Sequence, residues 1–142
     1  MRFIITARHA EDSKPQGDAP HSDELIAAYM KFNEAMHNAG VLVAAEGLAP
    51  GAPGARIGVS GGKRKVMDGP FAESKELVGG FYVIEVPSLE EAKAWALRCP
   101  MGLGFDDVLE IRQLTGSGDV PKEMLELTAR VAPNWSATWI KK

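Results

Sequence analysis

The chain has 142 residues, of which 45% are hydrophobic and 25% charged, a composition typical of a single globular domain. Its formal net charge of -3 argues against a broad nucleic-acid-binding face, because such faces neutralise phosphates with clustered lysine and arginine. A single cysteine, Cys99, excludes an internal disulfide, and no apolar stretch has the length of a membrane span or of a signal peptide. We therefore expect a cytoplasmic protein with no nucleic-acid or membrane partner.

The first predicted elements are a strand and a helix. Phe3, Ile5 and Ala7 alternate with polar residues, which predicts a strand. After a polar loop with two prolines in residues 10–20, Ser22 is placed to cap a helix, and Gly40 is placed to end it. The predicted helix carries one apolar stripe at helical spacing: Leu25, Tyr29, Phe32 and Met36.

A second strand and a hairpin follow. Residues 41–48 predict a strand with four side chains on one face: Leu42, Ala44, Glu46 and Leu48. Residues 56–60 and 63–68 are separated by Gly61-Gly62, and glycine at both central positions suits a type I′ hairpin turn.

The second half of the chain repeats the strand–helix–strand order. Residues 78–86 are apolar on both faces, which is typical of a central strand. Ser88 begins a capping box for a helix with an apolar stripe, and residues 108–114 predict the last strand. Asp119 is then expected to cap a helix carrying Met124, Leu127, Thr128 and Val131. Trp135 and Trp139 are expected to pack on a partner subunit or over a cleft, and a disordered tail is the alternative.

This element order predicts an α+β, ferredoxin-like βαββαβ fold with an inserted β-hairpin. Such a fold has one antiparallel sheet with both helices on the same face. The other face is then uncovered, and an apolar sheet face is not stable in water. Two copies burying these faces against each other would make a homodimer.

Charged side chains that could act on a ligand are concentrated in one segment, Asp68-Gly69-Pro70-Phe71-Ala72-Glu73-Ser74-Lys75-Glu76, which is followed by Gly79-Gly80-Phe81. Pro70 fixes its own φ and restricts Gly69, so the loop is stiff. A carboxylate held near apolar walls and a lysine can have a shifted pKa and act as a general acid or base. The alternative is a rigid turn with solvated charges.

The same segment is similar to the DGPF signature of the YCII-related (YciI-like) family, with Ser74 in place of the usual threonine. The similarity extends to residues 31–34, 40–42, 46–48, 60–64 and 111–113. It implies a ferredoxin-like domain over residues 1–114 that pairs into a dimeric α+β barrel. It leaves residues 115–142 as a C-terminal helical extension, expected to pack on the domain or on the partner subunit. YciI-like relatives place a histidine and an aspartate in a cleft, a pair that no motif of this chain matches.

We therefore predict a small-molecule pocket in which Asp68 is the catalytic candidate. Glu46 is either a pocket carboxylate near Asp68 or a strand-end acid that reaches solvent. Arg8 and His9 end the first strand, where they either line the cleft or are merely structural. The remaining candidates for ligand binding belong to the acidic loop: Gly69, Pro70, Phe71, Glu73, Lys75 and Glu76.

No cofactor is expected. The glycine-rich segments match neither a phosphate loop nor a dinucleotide fingerprint. Three scattered histidines without a repeating spacing are weak evidence for a metal site. Two functions stay open. One is an enzyme that performs proton transfer or lyase-like chemistry on a small polar or aromatic molecule. The other is a non-catalytic ligand-binding or regulatory module, since members of the resembled family sometimes occur with alternative sigma factors.

Overall fold

The computed structural model describes residues 1–9, 22–48, 54–69, 78–101 and 107–140. The order of strands and helices is the predicted one, with a C-terminal part that divides into a 3-10 turn and two helices. In chain order the elements are β1 (Arg2–His9), α1 (Ser22–Asn38), β2 (Leu42–Gly47), β3 (Ala55–Ser60), β4 (Lys63–Asp68), β5 (Gly80–Glu85), α2 (Leu89–Ala96), β6 (Asp107–Gln113), the 3-10 turn Ser117–Asp119, α3 (Lys122–Val131) and α4 (Pro133–Ile140).

Two antiparallel sheets make up the β structure. The larger has four strands in the order β2-β5-β1-β6, so β5 and β1 are central. The smaller is the β3-β4 hairpin, in which every residue of both strands is exposed. The described chain is thus an α+β protein with antiparallel sheets, compatible with a ferredoxin-like fold.

One face of the four-stranded sheet carries the hydrophobic core. Phe3 and Ile5 of β1 pair with Ile84 and Tyr82 of β5, and all four side chains are buried. The core is completed by buried residues of the two helices and of the turn after α2: Phe32, Met36, Ala92, Ala96 and Cys99. Residues that are paired in register point to the same side of a sheet, so the four strand residues share one face. Buried residues of α1 and α2 belong to the same core, so both helices lie on this face, as predicted.

The opposite face of the sheet is half apolar. Its central positions are Ile4 and Val83, which are paired and only half-buried. The pairing places Arg112 and Glu110 of β6 on the same side, and both are exposed.

The register predicted for β2 is wrong at its beginning. A bulge between Leu42 and Ala44 breaks the alternation, so Leu42 and Ala45 pair with the core positions Ile84 and Tyr82. Ala44 and Glu46 lie on the opposite face. A β-bulge inserts one extra residue and reverses the side-chain alternation locally, which a strict two-residue period cannot anticipate.

The predicted Ser88 cap and Gly61-Gly62 turn are confirmed, and the predicted Asp119 cap is wrong. Ser88 caps α2 by accepting a hydrogen bond from the Glu91 N–H at 3.2 Å, and Gly61 and Gly62 have φ of 57° and 77°. Asp119 does not cap α3. Its carboxylate accepts from the Gly116 N–H at 2.7 Å and closes the 3-10 turn, while Pro121 precedes α3 without a side-chain cap.

The C-terminal helices pack against each other and leave an apolar stripe in solvent. Met124, Leu127 and Val131 are 50%, 48% and 73% exposed. Trp135 and Trp139 stack with ring centroids 5.3 Å apart. Across the described residues, no helix has the length and hydropathy of a membrane span.

Candidate functional site

A cavity of about 390 Å³ opens between α1 and the Gly79–Gly80 end of the sheet. Its volume lies within the range of small-molecule sites. The ends of all four strands of the larger sheet, one face of α1 and the segment after α2 supply its walls. The lining residues are Ala7, Arg8, Tyr29, Met30, Asn33, Ala45, Glu46, Gly47, Gly79, Gly80, Phe81, Tyr82, Pro100, Met101, Asp107 and Leu109.

Small residues create this space. A Cβ on Gly80 would lie 2.9 Å from the Glu46 carbonyl oxygen, so only glycine permits β5 to approach β2 this closely. The Gly79 N–H donates to the Ala7 carbonyl at 2.7 Å, and the Leu48 N–H donates to the Gly79 carbonyl at 3.0 Å. These bonds hold three strand ends together. Because small residues occupy the positions that face α1, the cavity lies beneath the middle of this helix, at Tyr29, Met30 and Asn33.

The side chains that belong to the cavity can be separated from those that only border it. Tyr29 and Asn33 are four residues apart on α1 and therefore share a face. Tyr82 and Asp107 lie on the core side of the sheet, the same side as α1. Arg8, Glu46 and Phe81 alternate to the opposite side, so they border the cavity from the strands.

Asn33 has an unsatisfied acceptor at this site. Its Oδ1 is buried, and no described group lies within hydrogen-bonding distance of it. A buried acceptor without a partner costs about 1–3 kcal/mol, so such atoms are uncommon in native proteins.

The phenols of Tyr29 and Tyr82 line the inner wall of the cavity, and the buried Cys99 thiol interacts with Tyr82. Burial raises the pKa of Tyr29 and Tyr82, and it raises the pKa of the Cys99 thiol from 9.0 to about 11. The negative charge of Asp107 contributes to the raised pKa of Tyr29 and of Cys99. At neutral pH the phenols and the thiol are therefore protonated, and Asp107 supplies negative charge beside them.

The predicted site residues are divided between three places. Arg8 and Glu46 line the cavity, although Glu46 is exposed, and His9 ends β1 opposite Asp107. Asp68 ends β4 in the exposed hairpin, and the Gly69 N–H donates to the Gly54 carbonyl at 2.7 Å. Asp68 and Gly69 are not among the residues that line the described cavity. The other predicted loop residues, Pro70, Phe71, Glu73, Lys75 and Glu76, lie outside the described residues.

The polar groups of the inner wall are not among the residues predicted from the sequence. Tyr29 was assigned to the core stripe, and Tyr82 belongs to a strand that is apolar on both faces. Asn33 was visible as an amide one helical turn after Tyr29, next to the buried Phe32. Asp107 was visible as an acid at the start of the last strand.

Metal-ligating residues do not cluster in the described parts of the chain. No group of three or more His, Cys, Asp or Glu side chains is arranged there to hold an ion. Cys99 is a free, buried cysteine whose Sγ lies 3.8 Å from the Pro100 carbonyl oxygen.

Comparison with known proteins gives a family and one relative. The family model of the YCII-related domain matches residues 1–115. An uncharacterised protein from Rhizobium meliloti (strain 1021) is 42% identical over 73 residues. That match covers 51% of this chain and 56% of the relative, so the chain spans little more than half of the relative's length.

Proposed function

The chain belongs to the YCII-related domain family. We propose that this domain binds a small organic molecule in the cavity beneath α1. The observation that carries this proposal is the buried, unsatisfied Oδ1 of Asn33 at a mostly apolar cavity. Ligand sites combine apolar walls with a few placed polar groups, and a bound donor would remove the energetic cost of this atom.

The experiment is a thermal-shift screen of the full chain against a metabolite library, followed by a matched pair of variants. Met30 lines the cavity and is 54% exposed, whereas Met124 of α3 is 50% exposed and lies outside it. We expect Met30→Trp to abolish the thermal shifts of the hits because the indole occupies the cavity mouth. Met124→Trp should leave the shifts unchanged.

Two results would contradict ligand binding in this cavity. One is a screen in which no compound stabilises the wild-type chain. The other is a set of hits that Met30→Trp binds as well as Met124→Trp does. Asp68→Ala examines the predicted loop in parallel, since hits that need the hairpin end instead of the cavity would be lost in that variant alone.

Acid–base catalysis is a second candidate, and Asp107 favours it. This carboxyl is only half exposed, and its charge acts on Tyr29 at the inner wall. A carboxylate beside protonated phenols is a suitable pair for moving a proton to and from a bound carbon acid. Asp68 stays a candidate only if the hairpin of the same or another copy reaches the cavity.

Proton transfer is tested by incubating each hit with the protein in D2O and following C–H exchange by NMR. Catalysis predicts exchange that Asp107→Asn slows at least tenfold when each variant is saturated with the hit. Binding with no exchange at any carbon would instead identify a non-catalytic module. A regulatory role beside an alternative sigma factor would then be the next function to test.

The homodimer is also a proposal, supported by the half-apolar outer face of the sheet. Ile4 and Val83 lie at its centre and are only half-buried, which is unfavourable for an isolated sheet. Two such faces in contact would form the barrel that the family resemblance implies. Light scattering should give a dimer mass for the wild type and for the control Val131→Lys, and a monomer mass for Val83→Lys. A monomeric wild type at micromolar concentration would contradict the proposal.

A further inference from the structure

We infer that the cavity beneath α1 takes a small organic cation, an amine or amidine on an apolar body, whose N–H group donates to the Asn33 Oδ1. The inference rests on the proposed binding function and adds the chemical class of the ligand. Three independent features of the described cavity carry it: the direction of its open hydrogen bond, the sign of its charge, and the nature of its walls.

The open hydrogen bond demands a donor. A side-chain amide oxygen accepts and cannot donate, and the Asn33 Oδ1 has no described partner. A ligand that offers only acceptors, such as a carboxylate, would leave this atom unsatisfied and add repulsion between oxygens. A ligand with N–H groups would satisfy it.

The charge of the cavity favours a cation. Its charged lining groups are the carboxylates of Glu46 and Asp107 and the guanidinium of Arg8. Arg8 and Glu46 both alternate to the far side of the sheet, whereas Asp107 lies on the cavity side, so the charged lining group on the cavity side is a carboxylate. An anion placed beside Tyr29 would be repelled by the Asp107 carboxylate.

The walls suit an apolar, flat body. The phenol rings of Tyr29 and Tyr82 stay neutral at physiological pH, and the faces of such rings attract cations at close range. The other side chains facing the cavity are mainly small or apolar: Ala7, Ala45, Pro100, Met101 and Leu109. A volume of about 390 Å³ accommodates a ligand of one ring with a short polar head.

The test compares three probes of similar shape on the full chain: benzamidine, benzyl alcohol and benzoate. Isothermal titration gives affinities, and methyl resonances of labelled methionine give the location. Met30 and Met101 report from the cavity, and Met124 reports from outside it. We expect benzamidine to bind at millimolar concentration and to shift Met30 and Met101 but not Met124. Benzyl alcohol should bind more weakly, and benzoate should not bind.

Variants of Asn33 identify the contact. Asn33→Leu removes the acceptor and should weaken benzamidine binding roughly 10- to 100-fold, the usual effect of losing a hydrogen bond to a charged group. Asn33→Asp keeps an acceptor, adds negative charge and should bind benzamidine at least as tightly as the wild type. Asn38→Leu is the matched control, because Asn38 is an exposed asparagine on the same helix.

The outcomes separate the inference from the function on which it rests. Cavity binding of benzoate at least as tight as that of benzamidine would overturn the cationic class and leave the pocket intact. Benzamidine binding that Asn33→Leu does not weaken would overturn the assigned contact. If no probe and no library compound perturbs Met30 or Met101, the pocket and its ligand class both fail.

Discussion

Replacing Asn33 with leucine should make the ligand-free protein more stable. The Asn33 Oδ1 is buried without a described partner, and such an acceptor costs about 1–3 kcal/mol. Leucine has the same number and branching of side-chain heavy atoms as asparagine and leaves no polar atom behind. It also adds apolar surface beside the neighbouring Tyr29. We expect the free energy of unfolding to rise by about 1–2 kcal/mol for Asn33→Leu, since a buried polar group without a partner is less favourable than an apolar one.

Urea unfolding measures this effect. Asn33→Leu should raise the midpoint with an unchanged m-value, and its Tm should rise by roughly 2–8 °C for a chain of this size. Asn38→Leu, which loses only an exposed contact of 3.5 Å with Glu34, should stay within about 0.5 kcal/mol of wild type. A loss of stability of 1 kcal/mol or more in Asn33→Leu would show that the amide has a partner in the folded protein. The cavity would then have no unsatisfied group to offer a ligand.

Three further outcomes follow from the packing and the protonation of the described residues. Gly80→Ala should lose about 1–3 kcal/mol in urea unfolding because its Cβ would meet the Glu46 carbonyl oxygen at 2.9 Å, whereas Gly58→Ala, with open space around it, should change little. Ser88→Ala should lose about 1 kcal/mol with the cap of α2, and a change under about 0.3 kcal/mol would contradict the cap. Cys99 has its pKa raised to about 11 in the folded chain, so the folded state holds the thiol proton more tightly and the free energy of unfolding should fall as pH rises from about 9 to 11. A Cys99→Ala variant should lose part of this slope, and an equal slope in both proteins would refute the assignment.

Local patterns predicted the order of the elements but not the position of the cavity. Phe3 and Ile5 alternate, Phe32 and Met36 repeat at helical spacing, and these patterns directly report which side of an element is buried. The β2 bulge escaped this reasoning because it reverses the alternation within one step. Asp119 resembled a helix cap, yet it closes the preceding turn instead.

The candidate site was only partly predictable, for a physical reason. Arg8 and Glu46, which line the cavity, are visible in the sequence as polar residues at strand ends. Charge density drew attention to Asp68, which ends an exposed hairpin strand. The cavity depends instead on α1 lying over the small residues of three different strands. That arrangement arises from tertiary packing, and no single segment specifies it.

The β3-β4 hairpin has a consequence for how sequences of this kind can vary. Its strands pair only with each other, and the Gly69 N–H to Gly54 carbonyl bond of 2.7 Å brings its two ends together. A segment whose entry and exit points are adjacent can be shortened, lengthened or exchanged without shifting the register of β2 against β5. This hairpin is therefore where a graft, such as a reporter peptide or an affinity tag, should leave the rest of the architecture intact.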